Sequence, residues 1–189
     1  MIPPYDAGGM LPPFLGAGPH VGSSPYPTEP LEFVQRFGTN PTRITLLLGF
    51  LEYRHNLRAL GIQGIQCING SFCQDVEATE GRVPGDVDVV TFLARPSAHA
   101  GDPQWLALVT SNPTVFQPPA VKAKYWCDAY FVDVSLGPGQ VISQTTYWIN
   151  LFTHKKVTYE WKGALMMEIG PTGIDDQALD YLIGLKVAP

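Results

Sequence analysis

The chain has 189 residues, 45% of them hydrophobic, which suits one sizeable core and therefore one domain. Seventeen acids against twelve lysines and arginines give a formal net charge of −5. That balance excludes broad DNA binding through a basic stripe, but suits a small anionic ligand that brings its own metal counter-ions.

In chain order, residues 1–30 carry much of the proline and glycine and predict an extended N-terminal arm, ahead of a single domain over residues 31–189. "PTEPLEFVQRFG" predicts a short helix, with Thr28 as its N-cap and Gly38 at its end. "NPTRITLLLGFLEYRHNLRALG" predicts the clearest helix, capped by Asn40, opened by Pro41 and closed by Gly61. Ile44, Leu47, Leu48, Leu51, Leu57 and Leu60 form its expected buried face. "IQGIQCIN" predicts a strand that ends at Gly70-Ser71, and "DVDVVTFL" a second strand. "DPQWLALVTSN" predicts a helix and the aromatic, β-branched "CDAYFVDVSL" a third strand. "QTTYWINLF" predicts a helix, "KGALMMEI" a strand, and "IDDQALDYLIGL" a final amphipathic helix. Such interleaving predicts an α/β (α+β) fold: a small mixed sheet flanked by helices.

Cys67, Cys73 and Cys127 are odd in number and lack CxxC spacing, which argues against a disulfide framework and against structural zinc. His20, His55, His99 and His154 stand singly and are expected to be surface or hydrogen-bonded structural residues. The longest apolar runs, "ITLLLGFL" and "GALMMEI", are core-sized, so no membrane association is expected. No basic segment leads into an apolar one at the N-terminus, so the expected location is cytoplasmic. All six arginines precede residue 96 and all six lysines follow residue 121, a division that sequence alone does not explain.

Asp86 and Asp88 are the pattern that asks for chemistry. Strand side chains alternate, so the two share a face while Val87 and Val89 take the other. Carboxylates about 7 Å apart on one strand face repel and contribute nothing to folding unless a divalent cation sits between them. "PGDVD" also reads as a polar turn entering a strand. Gly70-Ser71 adds weight to the first view: it closes one strand and is expected to open a helix whose N–H groups hold a phosphate.

Gly-Ser followed by Asp-x-Asp on the next strand resembles the signature of the polymerase-beta-type nucleotidyltransferase superfamily. More closely, the chain resembles a group of small bacterial members. The matching segments are "MLPPFLGAG", "RFGTNPTRITLLLGF", "INGSF", "PGDVD", "KAKYWCDAYF", "YWINLF" and "WKGALMMEI", spanning residues 10 to about 170. One departure is the fourteen-residue spacer from Phe72 to Gly85, longer than the family pattern, whose "DVEATEGR" adds acids near the site.

The resemblance implies two magnesium (or manganese) ions held by Asp86, Asp88 and a third carboxylate from an adjacent strand. Asp128 matches that third position, and Asp133, expected to be an exposed strand-end charge, is its rival. It further implies an NTP donor, with Gly70 and Ser71 at its phosphates and Lys124 and Lys162 neutralising charge, and transfer to a protein or RNA hydroxyl. One ion would activate the acceptor hydroxyl and the other would stabilise the leaving pyrophosphate. Members of this size often act in bacterial toxin–antitoxin or phage-defence pairs, which implies a cognate partner protein. Tyr125, Trp126, Tyr147 and Trp148 are aromatics that either stack a base or pack the core. The first alternative is a catalytically inactive module of the same fold that binds a nucleotide or a partner. A manganese-dependent glycosyltransferase ranks third, because such enzymes usually need a longer chain.

Overall fold

The computed structural model describes residues 1–16 and 22–187. Of the histidines, His20 lies outside the described residues.

The elements run β1 (Tyr26–Pro27), α1 (Pro30–Phe37), α2 (Pro41–Ala59), β2 (Gln63–Asn69), α3 (Val76–Glu80), β3 (Val87–Ala94), α4 (Asp102–Ser111), α5 (Pro113–Phe116), α6 (Pro118–Tyr125), β4 (Cys127–Asp133), α7 (Pro138–Thr153), β5 (Leu165–Glu168) and α8 (Asp176–Val187). The strands form one five-stranded sheet in the order β1-β5-β2-β3-β4. β2 runs antiparallel to both β3 and β5, whereas β4 is parallel to β3 and β1 to β5. This is the mixed, helix-flanked α+β sheet expected from the sequence.

The two sheet faces are covered unequally. Val87, Val89 and Leu93 of β3, Cys127 and Ala129 of β4 and Ile68 of β2 enter the large core, which α1, α2 and α8 help to build. Residues of opposite parity, Cys67, Val90 and Val132, join a small second cluster with Phe152 and Trp148 of α7. Alternation therefore places Asp88 and Asp128 on the thinly covered face, beside α7.

α2 is the central helix of the large core. Asn40 Oδ1 accepts from the Arg43 backbone N–H at 3.0 Å, Pro41 fills the first turn, and Gly61 at φ +74° follows its end. Its buried stripe runs through Leu47, Phe50, Arg54 and Leu57, so Ile44, Leu48 and Leu60 sit only at the margin. The Arg54 guanidinium is fully buried; it donates to both Asp175 oxygens, to Gln66 and to the Glu168 carbonyl, which ties α2 to β2 and to the β5–α8 connection.

One local expectation, the N-cap, is corrected. Glu29 occupies the N-cap of α1 without a side-chain bond, while Thr28 is drawn into the sheet, its N–H donating to Met166 O at 2.9 Å. The N-terminal arm packs as part of the fold: Ile2, Met10 and Leu11 are buried, and Tyr26 donates its hydroxyl to Pro12 O. The spacer "DVEATEGR" contains α3, whose Glu77 is anchored by Arg43.

Candidate active site

The N-terminal ends of β3 and β4 meet because the Val87 N–H donates to Trp126 O at 2.9 Å. From there the parallel register sets Asp88 directly beside Asp128, and on the other side the antiparallel register sets Asn69 beside Asp88. Asp86 precedes β3 by one residue and keeps the parity of Asp88. Asp86, Asp88 and Asp128 line one cavity of about 590 Å³ on the α7 face.

Gly70 follows β2 and bends the chain beneath Asp88. Its φ +78°, ψ −165° conformation belongs to glycine, and a Cβ there would run into the Asp88 carboxylate. The helix expected after Gly70-Ser71 is only a single 3-10 turn, Ser71–Cys73, so no helix dipole of useful length points at the cavity. That turn is held from outside. Arg43 donates to Phe72 O and Gln74 O, each at 2.7 Å, and forks onto both Glu77 oxygens at 2.6 and 2.8 Å. The same guanidinium holds the Glu77 carboxyl down at about 2.

A second wall is cationic. Lys162, only 6% exposed, lines the cavity, and among the described residues its ammonium makes no ion pair or hydrogen bond. Burial lowers its pKa; Lys156 and Lys155 push the same way, while Cys73 and Asp88 oppose them. Lys155, Lys156 and Arg82 also face the cavity. Asn69 anchors this wall by donating to Gly163 O at 3.1 Å and to Phe152 O, which fixes the approach to Lys162 and the end of α7.

Three carboxylates share the floor of a cavity that Arg82, Lys122, Lys155, Lys156 and Lys162 also line. Asp88 is pushed up to about 6 by burial, with Asp86 and Asp128 adding to it against Lys162 and Lys156. Asp86 is ion-paired with Lys122 of α6, whose pKa rises as a result. Among the described residues no three His, Cys, Asp or Glu side chains stand together as a group that could hold a metal ion. Donor chemistry nevertheless fits a hard divalent cation: three carboxylates face one cavity, and Asp88 registers their repulsion.

The structure therefore brings together Asp86, Asp88, Asp128, Gly70, Ser71 and Lys162, but not Lys124 or Asp133. Lys124 lies outside the cavity over the Tyr125 ring, near Glu52. It sits two positions from Lys122 on α6, about 200° around the helix, so only one of the two can face the cavity. Asp133 is at the far end of β4, and it is buried, not exposed: Arg95 donates to it at 2.6 Å. Of the aromatics, Tyr125 is core, Trp126 caps α6 in the left-handed region, and Tyr147 and Trp148 line the cavity.

Sequence reasoning missed Lys122, Lys155, Lys156, Arg82, Tyr130 and His154 as cavity residues. The adjacent lysines of "THKKVTYEWKG", a short basic run ahead of Lys162, were the available signal. His154 is held by its own helix end, with Nδ1 2.9 Å from Asn150 O, and its ring sits edge-on to Trp161.

No helix among the described residues is long and apolar enough to cross a membrane. Comparison with curated proteins and with solved structures returns no match. A family model described as "Family of unknown function (DUF6932)" matches residues 3–168. That span takes in the N-terminal arm, all five strands and every wall of the cavity, and the chain belongs to this family.

Proposed function

We propose that the protein is a magnesium-dependent nucleotidyltransferase that moves a nucleoside monophosphate from an NTP to a hydroxyl group on a protein or RNA. The observation that carries this is the meeting, in one cavity, of Asp86, Asp88 and Asp128 with Lys162, a largely buried residue whose ammonium makes no ion pair or hydrogen bond among the described residues. An acidic floor beside a cationic wall suits a polyphosphate accompanied by a divalent ion, and suits neither partner alone.

Asp86, Asp88 and Asp128 would hold magnesium, or manganese in its place. When bound, the metal supplies Lewis-acid activation of the acceptor hydroxyl and charge for the departing pyrophosphate. Lys162, with Lys155 and Lys156, draws the phosphates to one side of the carboxylates. Gly70 keeps the backbone thin beneath Asp88, and Arg43 fixes the turn that presents Ser71. A bond forms between the acceptor oxygen and the α-phosphorus, the α–β bridging bond breaks, and the acceptor proton passes to solvent or a carboxylate.

Three buried free thiols fit a reducing cytoplasmic location. A bacterial toxin–antitoxin or phage-defence setting, with a cognate partner protein, rests on the superfamily resemblance alone.

The ion pair of Lys122 with Asp86 favours a second function, a nucleotide-binding module that has lost catalysis. Calorimetric titration of ATP, GTP, CTP and UTP with magnesium into wild type and the Asp86→Asn/Asp88→Asn double variant tests both. Magnesium-dependent binding that disappears in the variant supports the site; binding indifferent to magnesium and to both aspartates supports the inactive module. If no triphosphate binds to folded wild type, both fail.

A further inference from the structure

The cavity has a wall that phosphate chemistry does not use. Tyr130 of β4 and Tyr147 and Trp148 of α7 line it, with Tyr130 37% and Tyr147 60% exposed. Tyrosine and tryptophan present an apolar ring with a polar edge and commonly stay partly exposed. Here α7 buries only Phe152 of its sixteen residues, and while Trp148 packs partly against the small cluster, Tyr147 stays outside it.

The rings are set as a platform. Tyr130 and Trp148 lie with centroids 4.7 Å apart at 39°, while Tyr147 and Phe152 meet Trp148 nearly edge-on at 5.1 and 5.9 Å. Trp148 is thus pinned by three neighbours and Tyr147 remains outermost. Tyr130 is two residues along β4 from Asp128 on the same face, and its ring borders the Asp128 carboxyl, which its hydroxyl meets. Lys162 lies on the opposite flank, just ahead of β5, with β2 and β3 between β5 and β4. Lys162 and Tyr130 therefore stand at opposite flanks with the carboxylates between them, Lys122 being paired with Asp86, and the cavity's volume of about 590 Å³ suits one nucleotide-sized molecule.

We propose that Tyr130, Tyr147 and Trp148 form a stacking subsite for a nucleobase. The cavity's ligand is then a nucleotide lying across the strands, base on the aromatic wall and phosphates toward Lys162, and not a sugar phosphate or an inorganic polyphosphate. This rests on the phosphate-and-metal site described under Proposed function.

The test is calorimetry of the full-length protein with ATP and with inorganic tripolyphosphate, both with magnesium, on wild type, Tyr147→Ala, Tyr147→Phe and Trp148→Leu. Stacking of one base changes affinity by about five- to a hundredfold. Wild type is expected to bind ATP at least about fivefold more tightly than tripolyphosphate. Tyr147→Ala should weaken ATP severalfold and leave tripolyphosphate unchanged, and Tyr147→Phe should restore the preference. Tyr147 is exposed, so its variants keep the test valid if Trp148→Leu fails to fold. Equal binding of the two ligands by wild type, or equal weakening of both by Tyr147→Ala, overturns the stacking subsite and leaves the cation wall standing. Binding of neither ligand overturns the phosphate-and-metal site as well.

Discussion

Asp88→Asn should make the metal-free protein more stable at neutral and alkaline pH, although it removes a candidate metal ligand. In the fold the Asp88 carboxyl titrates at about 6 against an ordinary 3.8, chiefly through burial and then through Asp86 and Asp128. Each unit of difference corresponds to about 1.4 kcal/mol, so about 3 kcal/mol is the ceiling, and the open side of the cavity reduces it to about 1–2 kcal/mol. The sign follows from proton binding: this native carboxyl holds its proton where the unfolded one has lost it. The folded state is thus unpenalised below about pH 4, loses stability as pH rises toward 6, and stays penalised above. Asparagine keeps the shape without the charge. Urea denaturation in EDTA should show wild type and Asp88→Asn equal near pH 4, with the variant about 1–2 kcal/mol more stable at pH 8. Saturating magnesium, at about a hundred times its Kd, should then add about 3 kcal/mol to wild type and nothing comparable to the variant. A variant less stable than wild type in EDTA at pH 8 would refute the view that Asp88 bears uncompensated charge.

Three further outcomes are expected. Gly70→Ala should cost more than about 2 kcal/mol in urea denaturation, because the backbone conformation alone costs about 1–3 kcal/mol in a non-glycine residue and the new methyl meets Asp88; equal stability would refute the close approach. Lys122→Met should tighten magnesium binding up to about fivefold in low-salt calorimetry, since a half-exposed ion pair of about 1 kcal/mol or less is all that holds Asp86 back; weaker binding would make Lys122 part of the site. Arg43→Met should lose about 3 kcal/mol and Arg43→Lys less, read by denaturation, because the guanidinium satisfies two carbonyls as well as Glu77; a neutral methionine variant would show that the turn holds itself.

Strands β2 to β5 and the central helix are legible because each rests on a local rule. β3 alternates valines against Asp86 and Asp88, and α2 announces its ends with Asn40-Pro41 and Gly61. What escaped depends on partners distant in sequence or on helix phase. Pro118-Pro119 looks like a break, yet proline suits a first helical turn, and α6 begins there. Without α6 there was no phase to choose between Lys122 and Lys124. Asp133 looked like a strand-end charge because its partner Arg95 lies 38 residues away. Tyr26–Pro27 became a strand only because β5 leaves an edge open to it. The register that sets Asp128 beside Asp88 is likewise a property of the sheet, invisible from either strand alone.

Four of the six arginines serve the scaffold, whereas Arg82 lines the cavity. Arg43, Arg54, Arg58 and Arg95 each grip a carboxylate and at least one backbone carbonyl. Such multidentate contacts need a planar fork of donors, and they are made by the segments that build the large core. Lys122, Lys155, Lys156 and Lys162 come from the segments that wall the cavity. An ammonium is a compact charge on a flexible stem, able to follow a phosphate or release a carboxylate, where a forked guanidinium would stay committed. Lys162 is the sharpest instance: burial works against its charge, and among the described residues no protein group pairs with it. An anion entering the cavity, as in the proposed reaction, would lower the cost of that charge.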